Sequence, residues 1–186
     1  MDDLGVFKQA LAFTLPEEGG ISNVEQDKGG LTNRGITHKT LDLFNQKHPE
    51  LNFPSDVRDL TSEQTETIYR LFFWYWDGIK DPKVAIKMFD IGVNTSAPSC
   101  EPGPKTSIMI LQRAINTVPM TPPRAPLAVD GYLGTITLGR CNIIPSDVML
   151  DAICLAQRSY YLGCITRNPE DRVFQNGWLK RAARKP

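Results

Sequence analysis

Nothing in the composition of this 186-residue chain is extreme, and each missing extreme removes a class of function. Charge excess is absent: Lys plus Arg number 21 and Asp plus Glu number 21, so no global field draws the chain to nucleic acid, which selects a basic face. Histidine is scarce, with only His38 and His48, and the four cysteines (Cys100, Cys141, Cys154 and Cys164) form neither a C-x-x-C pair nor zinc-like spacing with them. Nothing therefore points to a metal centre. No apolar run reaches the length needed to span a bilayer. The opening MDDLGVFKQALAF starts with two acids and lacks the basic start and small-residue cleavage site of a secretory signal. Synthesis in the cytoplasm is expected, with free thiols as the default state. Internal repeats and low-complexity segments are also missing.

What is present is the composition of a soluble globular protein, 41% hydrophobic and 23% charged, with enough residues for one sizeable core or two small units. Helical spacing dominates. Leu4, Phe7, Leu11 and Leu15 predict a helix over 3–15 that delivers Glu18 at or just past its end. Thr37 is placed to cap a helix running through Leu41 and Phe44 to His48, where Pro49 stops it. Thr61 and Gln64 match a capping box, opening a helix that is expected to reach Trp76. Further helices are predicted over 82–94, 105–118, 135–141 (capped by Thr135) and 147–166. Asp90 lies inside an apolar helical pattern and needs a partner if buried, so a pairing or capping role is expected of it. Four prolines between 119 and 128 mark an extended segment. The closing cluster Lys180, Arg181, Arg184 and Lys185 reads either as a solvated basic tail or as an attraction for an anionic cell envelope.

The most unusual stretch is EEGGISNVEQDKGGLTNRGIT, residues 17–37. Two Gly-Gly pairs and Gly35 permit tight turns or close approach by a ligand, and an irregular loop or short hairpin is expected near 20–37. This stretch resembles the signature of glycoside hydrolase family 108, the N-acetylmuramidases of phage endolysins and of bacterial secretion. Glu18-Gly19-Gly20, Asp27, Gly29-Gly30, Thr32 and Gly35-Ile36-Thr37 all match. Two positions depart from the pattern: Ile21 stands where the family has an aromatic residue, and Pro16 precedes the acid where a proline would kink or stop a helix. The resemblance continues through Phe89-Asp90, Leu111-Gln112-Arg113-Ala114, and Phe174, Gly177, Trp178 and Arg181. Val129-Asp130-Gly131 through Thr135 is similar to the turn of peptidoglycan-binding helical modules, and a purely structural turn is the alternative.

The resemblance implies a mainly α, lysozyme-like fold, with a muramidase region over 1–85 and a peptidoglycan-binding-like region over 86–186, packed as one monomeric unit. It implies cleavage of peptidoglycan glycan strands without metal or organic cofactor. Glycoside hydrolysis needs a carboxylic acid that is still protonated when it meets the bridging oxygen, and a second group to handle water or the sugar cation. Glu18 is the expected general acid. Asp27 is the expected base or charge stabiliser, with a loop-shaping role as its alternative. Thr32 is the candidate for holding the attacking water, and Asn33 for lining the cleft. Of the five consecutive aromatics from Phe72 to Trp76, most are expected in the core, with Tyr75 or Trp76 stacking on sugar rings. A holin or a secretion machine would carry the protein to the wall, and an inhibitor protein is a further expected partner if it is an injected effector. A non-catalytic wall-binding module is the competing reading.

Overall fold

The computed structural model describes residues 3–18, 32–95 and 104–186, with side chains from residue 4 to 16 in the first of these. Among the described residues are eight α-helices and one two-stranded antiparallel sheet, the mainly α, lysozyme-like architecture expected. In order these are α1 (Asp3–Glu18), β1 (Thr32–Asn33), β2 (Ile36–Thr37), α2 (His38–Lys47), α3 (Ser62–Phe73), α4 (Pro82–Thr95), α5 (Lys105–Thr117), α6 (Thr135–Cys141), α7 (Ser146–Arg167) and α8 (Gln175–Ala183). Short 3-10 turns lie at Pro49–Leu51, Val57–Asp59 and Pro169–Phe174. No helix among the described residues is long and apolar enough to cross a membrane.

The centre of the molecule is α4. Nine consecutive residues, Val84 to Gly92, are buried, which means that every face of the helix is covered. Helices α1, α3, α5 and α7 supply the cover. Two of the nine buried residues are ionisable. Asp90 is paired with Arg181 of α8, whose Nη2 lies 2.9 Å and whose Nε lies 3.2 Å from Asp90 Oδ1. Lys87 donates from Nζ to the carbonyls of Arg181 and Ala182 at 3.1 and 3.3 Å. Those carbonyls belong to the last turn of α8, at the negative end of the helix dipole, and the Arg181 carbonyl also accepts from Arg184 N–H at 3.2 Å. Burial pulls the Lys87 ammonium below the ordinary lysine value. The expected partner for Asp90 is thus the arginine of the closing motif.

The basic cluster at the end of the chain is split: Lys180 and Lys185 are exposed, whereas Arg181 and Arg184 are turned towards the rest of the molecule. Arg181 is buried on Asp90. Arg184 donates to the Phe13 carbonyl at 2.8 Å and lies 4.3 Å from the centre of the Phe13 ring. Lys185 pairs with Asp151 on the surface. The segment therefore clasps α1 and α7.

Helix α1 buries Phe7 and Leu11 as expected, with Leu15 packed against the core, and adds Val6, Ala10 and Thr14, whereas Leu4 is left exposed. Phe7 stands edge-on to Trp74 and Phe89, at 5.3 and 5.9 Å. Pro16 does not stop this helix, which continues to Glu18. A proline in the last turn removes only one ladder bond, and the helix has few turns left to disrupt.

Helix α3 opens with the expected capping box: Thr61 Oγ1 accepts from Gln64 N–H at 3.2 Å, and Gln64 Oε1 accepts from Thr61 N–H at 3.0 Å. It ends at Phe73, three residues earlier than expected. An extended backbone follows, with period-two alternation: Trp74 inward, Tyr75 outward, Trp76 inward. A helix through Trp76 would have turned some of these rings to solvent. Thr135 is the first residue of α6 rather than its cap, which is Gly134.

Removing one partner of a buried ion pair leaves the other charge unsolvated, at a cost of about 3–5 kcal/mol. Asp90→Asn and Arg181→Met are each expected to lower stability by that order, read as a fall in the urea midpoint at constant m-value. The double variant Asp90→Asn/Arg181→Met should lose clearly less than the sum. Additive losses would show that the two side chains do not act as a pair.

Candidate active site

The residues expected to carry chemistry fall on α1, on the sheet, and on the chain between them. Glu18 is the last residue of α1. Its side chain, Asp27 and the Gly-rich stretch over 19–31 lie outside the described residues. The rest of the site is described, and it shows how the flanking scaffold is held.

Residues 32–37 form a hairpin, with Thr32 opposite Thr37 and Asn33 opposite Ile36. Its two loop residues are Arg34 at φ 50° and Gly35 at φ 81°. Two successive left-handed residues define the tight loop whose twist matches that of paired strands. Gly35 takes this conformation without penalty, whereas Arg34 does not. Two contacts hold Arg34 in place. Tyr69 of α3 donates its hydroxyl to the Arg34 carbonyl at 2.8 Å, and the Arg34 guanidinium donates to Ser62 Oγ. Below the hairpin, Ile36 is buried in the core. At its end, Thr37 accepts from Thr40 N–H at 3.1 Å and caps α2, as expected.

Asn33 does not line a cleft. Its side chain is buried and its amide donates to the Val57 carbonyl at 2.7 Å and to the Leu60 carbonyl at 3.4 Å. Those carbonyls belong to a 3-10 turn and its cap; the Val57 carbonyl also accepts from Leu60 N–H at 3.3 Å, so Asn33 adds a second bond to it. The asparagine thus bolts the hairpin to the 52–60 connection. Nearby, Asp56 accepts from the Arg58 side chain and N–H, which hold its carboxyl well below the usual carboxylate range, and lies 3.5 Å from His38 Nε2.

Trp76 is likewise corrected. At 0% exposure it offers no ring to a sugar, because the extended backbone after α3 turns it into the core. Tyr75 is turned outward at 38% exposure, with its hydroxyl donating to the Phe72 carbonyl at 2.8 Å. It keeps a ring edge and face for contact. Thr32 stands half-buried on β1, one residue before Asn33. The residue that sequence reasoning passed over is Tyr69, which fixes the hairpin tip; Arg34, grouped with Asn33 as able to line the cleft, is bonded to α3 through its carbonyl and to Ser62 through its guanidinium. A lone polar group on an aromatic helix gives no local sign that it bonds a carbonyl 35 residues away.

A helix ending in a glutamate before a glycine-rich stretch and a small hairpin, on a mainly α scaffold, defines the lysozyme-like helical class. Residues 11–95 match the family model Glycosyl hydrolase 108, and residues 106–183 match the family model Predicted Peptidoglycan domain. The first span is similar to a glycoside hydrolase family and the second to a peptidoglycan domain, and together the two matches support a peptidoglycan hydrolase. Among solved structures it is similar to Brucella abortus SagA, at 23% sequence identity over 97% of this chain and 91% of that chain, with a TM-score of 0.72. At that identity the likeness shows a shared fold. No curated protein matches the sequence.

The hairpin loop gives a test of its own. An L side chain at the Gly35 conformation costs on the order of 1–3 kcal/mol. Gly35→Ala is therefore expected to lower the urea midpoint and, by loosening the strand that carries Thr32, to slow wall digestion. A variant as stable as the wild type would show that the loop does not hold this geometry in solution.

Proposed function

We propose that the chain is an N-acetylmuramidase that cleaves the β-1,4 bond between N-acetylmuramic acid and N-acetylglucosamine, with Glu18 as general acid. The observation that carries the reading is the place of Glu18: the final residue of α1, inside the span matched to the glycosyl hydrolase family, directly before Gly19-Gly20. In this role Glu18 gives its proton to the bridging oxygen as the bond breaks. A protonated carboxyl is what a poor alkoxide leaving group requires.

The same proposal gives Asp27 the second carboxylate role and Thr32 the positioning of the attacking water. Tyr75 remains the aromatic candidate for stacking on the glycan. Neither a metal nor an organic cofactor is required by this acid–base chemistry. Delivery to the wall is part of the proposal: cytoplasmic synthesis, then release by a holin, as for a phage endolysin. A secretion machine, with an inhibitor protein for self-protection, is the other route to the same substrate.

General acid catalysis contributes about 10²–10⁴-fold, and Glu18→Gln should lose rate on that scale while keeping its thermal midpoint. The assay is release of reducing ends from purified cell walls, with mass spectrometry of the fragments. Fragments ending in reducing N-acetylmuramic acid are expected from the wild type. Undiminished clearing by Glu18→Gln, or fragments ending in N-acetylglucosamine, would overturn the assignment. Asp27→Asn is expected to lose most of the activity, and unchanged turnover would reduce Asp27 to a loop residue.

A further inference from the structure

The span matched to the peptidoglycan domain contains a groove for which glycan cleavage supplies no task. It lies between α5 and α7 and encloses about 630 Å³, within the roughly 300–1,000 Å³ range of small-ligand clefts. All of its lining residues fall between Thr106 and Arg167, so the groove lies wholly inside that span. Its floor is apolar, with Met109 from α5 and Leu155 from α7, the latter 65% exposed. Gly163 keeps the floor open, since an added Cβ would sit 3.3 Å from the Arg167 guanidinium.

The rim is cationic. Arg113 comes from α5 and Arg167 from α7, and no lining residue is acidic. Neither arginine has a carboxylate partner among the described residues. Arg167 donates from Nη2 to Cys164 Sγ at 3.3 Å, which orients the guanidinium and leaves its other N–H groups available. Tyr160 lines the same groove, and burial pushes its hydroxyl pKa up to about 12. Arg113 belongs to the Leu111–Ala114 element, whose other polar member has a different task. Gln112 is buried, donating to Asp130 Oδ1 at 2.7 Å and to the Tyr132 carbonyl at 3.1 Å while accepting from Gly131 N–H at 2.9 Å. Gln112 holds the turn, and Arg113 is turned out to the groove.

We propose that this groove binds the acidic peptide stem of peptidoglycan, Arg113 and Arg167 taking its carboxylates and Met109 and Leu155 its short alkyl groups. The glycan itself offers mainly hydroxyl and acetamido groups, a poor match for two unpaired guanidinium groups, whereas each stem carries carboxylates that an arginine fork bonds in bidentate fashion. The proposal rests on peptidoglycan being the polymer bound, but not on its cleavage.

The test is calorimetric titration of the full chain with a synthetic L-Ala–γ-D-Glu–L-Lys tripeptide, which has no glycosidic bond to cut. Comparison is with the fully carboxamidated tripeptide and with a soluble glycerol-phosphate polymer. Binding of the free-acid tripeptide is expected, weakening as salt rises. The amidated peptide should bind at least tenfold more weakly, as should the free acid to Arg113→Glu and to Arg167→Glu, whose exposed positions leave the fold intact by circular dichroism. Reducing-end release by the unmodified chain reads the hydrolase activity separately. Equal affinity for the amidated peptide, unchanged binding by both charge-reversed variants, tighter binding of the phosphate polymer, or no peptide binding by a chain that still cuts walls would each overturn the assignment.

Discussion

Two charged side chains on a fully enclosed helix set the terms for the rest of the structure. Helix α4 is covered on every side, and it carries Lys87 and Asp90 where an apolar residue would be the simpler choice. A buried ion tolerates no vacancy around it, because each missing hydrogen bond must be offset elsewhere. Arg181 and the last carbonyls of α8 fill those positions. The consequence is orientation: α8 can dock on α4 only in the register that brings the guanidinium to the carboxylate and the helix terminus to the ammonium. Apolar packing alone would tolerate sliding.

From that fixed centre, order spreads to the candidate catalytic acid. Helix α1 lies along α4, with Phe7 wedged between Trp74 and Phe89, and Arg184 grips Phe13 from the other side. The last turn of α1, which ends at Glu18, thus extends from a helix held by residues at both extremes of the chain. The hairpin is held independently, through Asn33 to the 3-10 turn and through Tyr69 to α3. The two elements that flank residues 19–31 in the sequence rest on one continuous hydrophobic core.

Local signals were legible where the physics is local. The Thr61–Gln64 capping box, the Thr37 cap and the stop at His48 depend on residues three or four apart, and each appears as read. Spacing misled where several registers were possible: α1 buries Val6 and Ala10 instead of Leu4, because the aromatic cluster decides which face turns inward. The aromatic run misled for a related reason. Its helix ends at Phe73, since extended backbone buries two tryptophans on one side of the chain. The Asp90–Arg181 pair spans 91 residues, and Asn33 meets its carbonyl 24 residues away. A single sequence records that such groups need partners, not which partners. The candidate acid rests on a long discontinuous motif, whereas the burial of Asn33 and Trp76 was not legible, since both residue types suit sugar contact and core duty equally.

The family boundary and the physical boundary do not coincide. One matched span closes at residue 95, the last residue of α4, yet α5, α7 and α8 all rest on that helix. Evolutionary exchange of the second module is therefore constrained. A substitute would have to arrive with its own arginine at the same depth and its own helix terminus for the lysine.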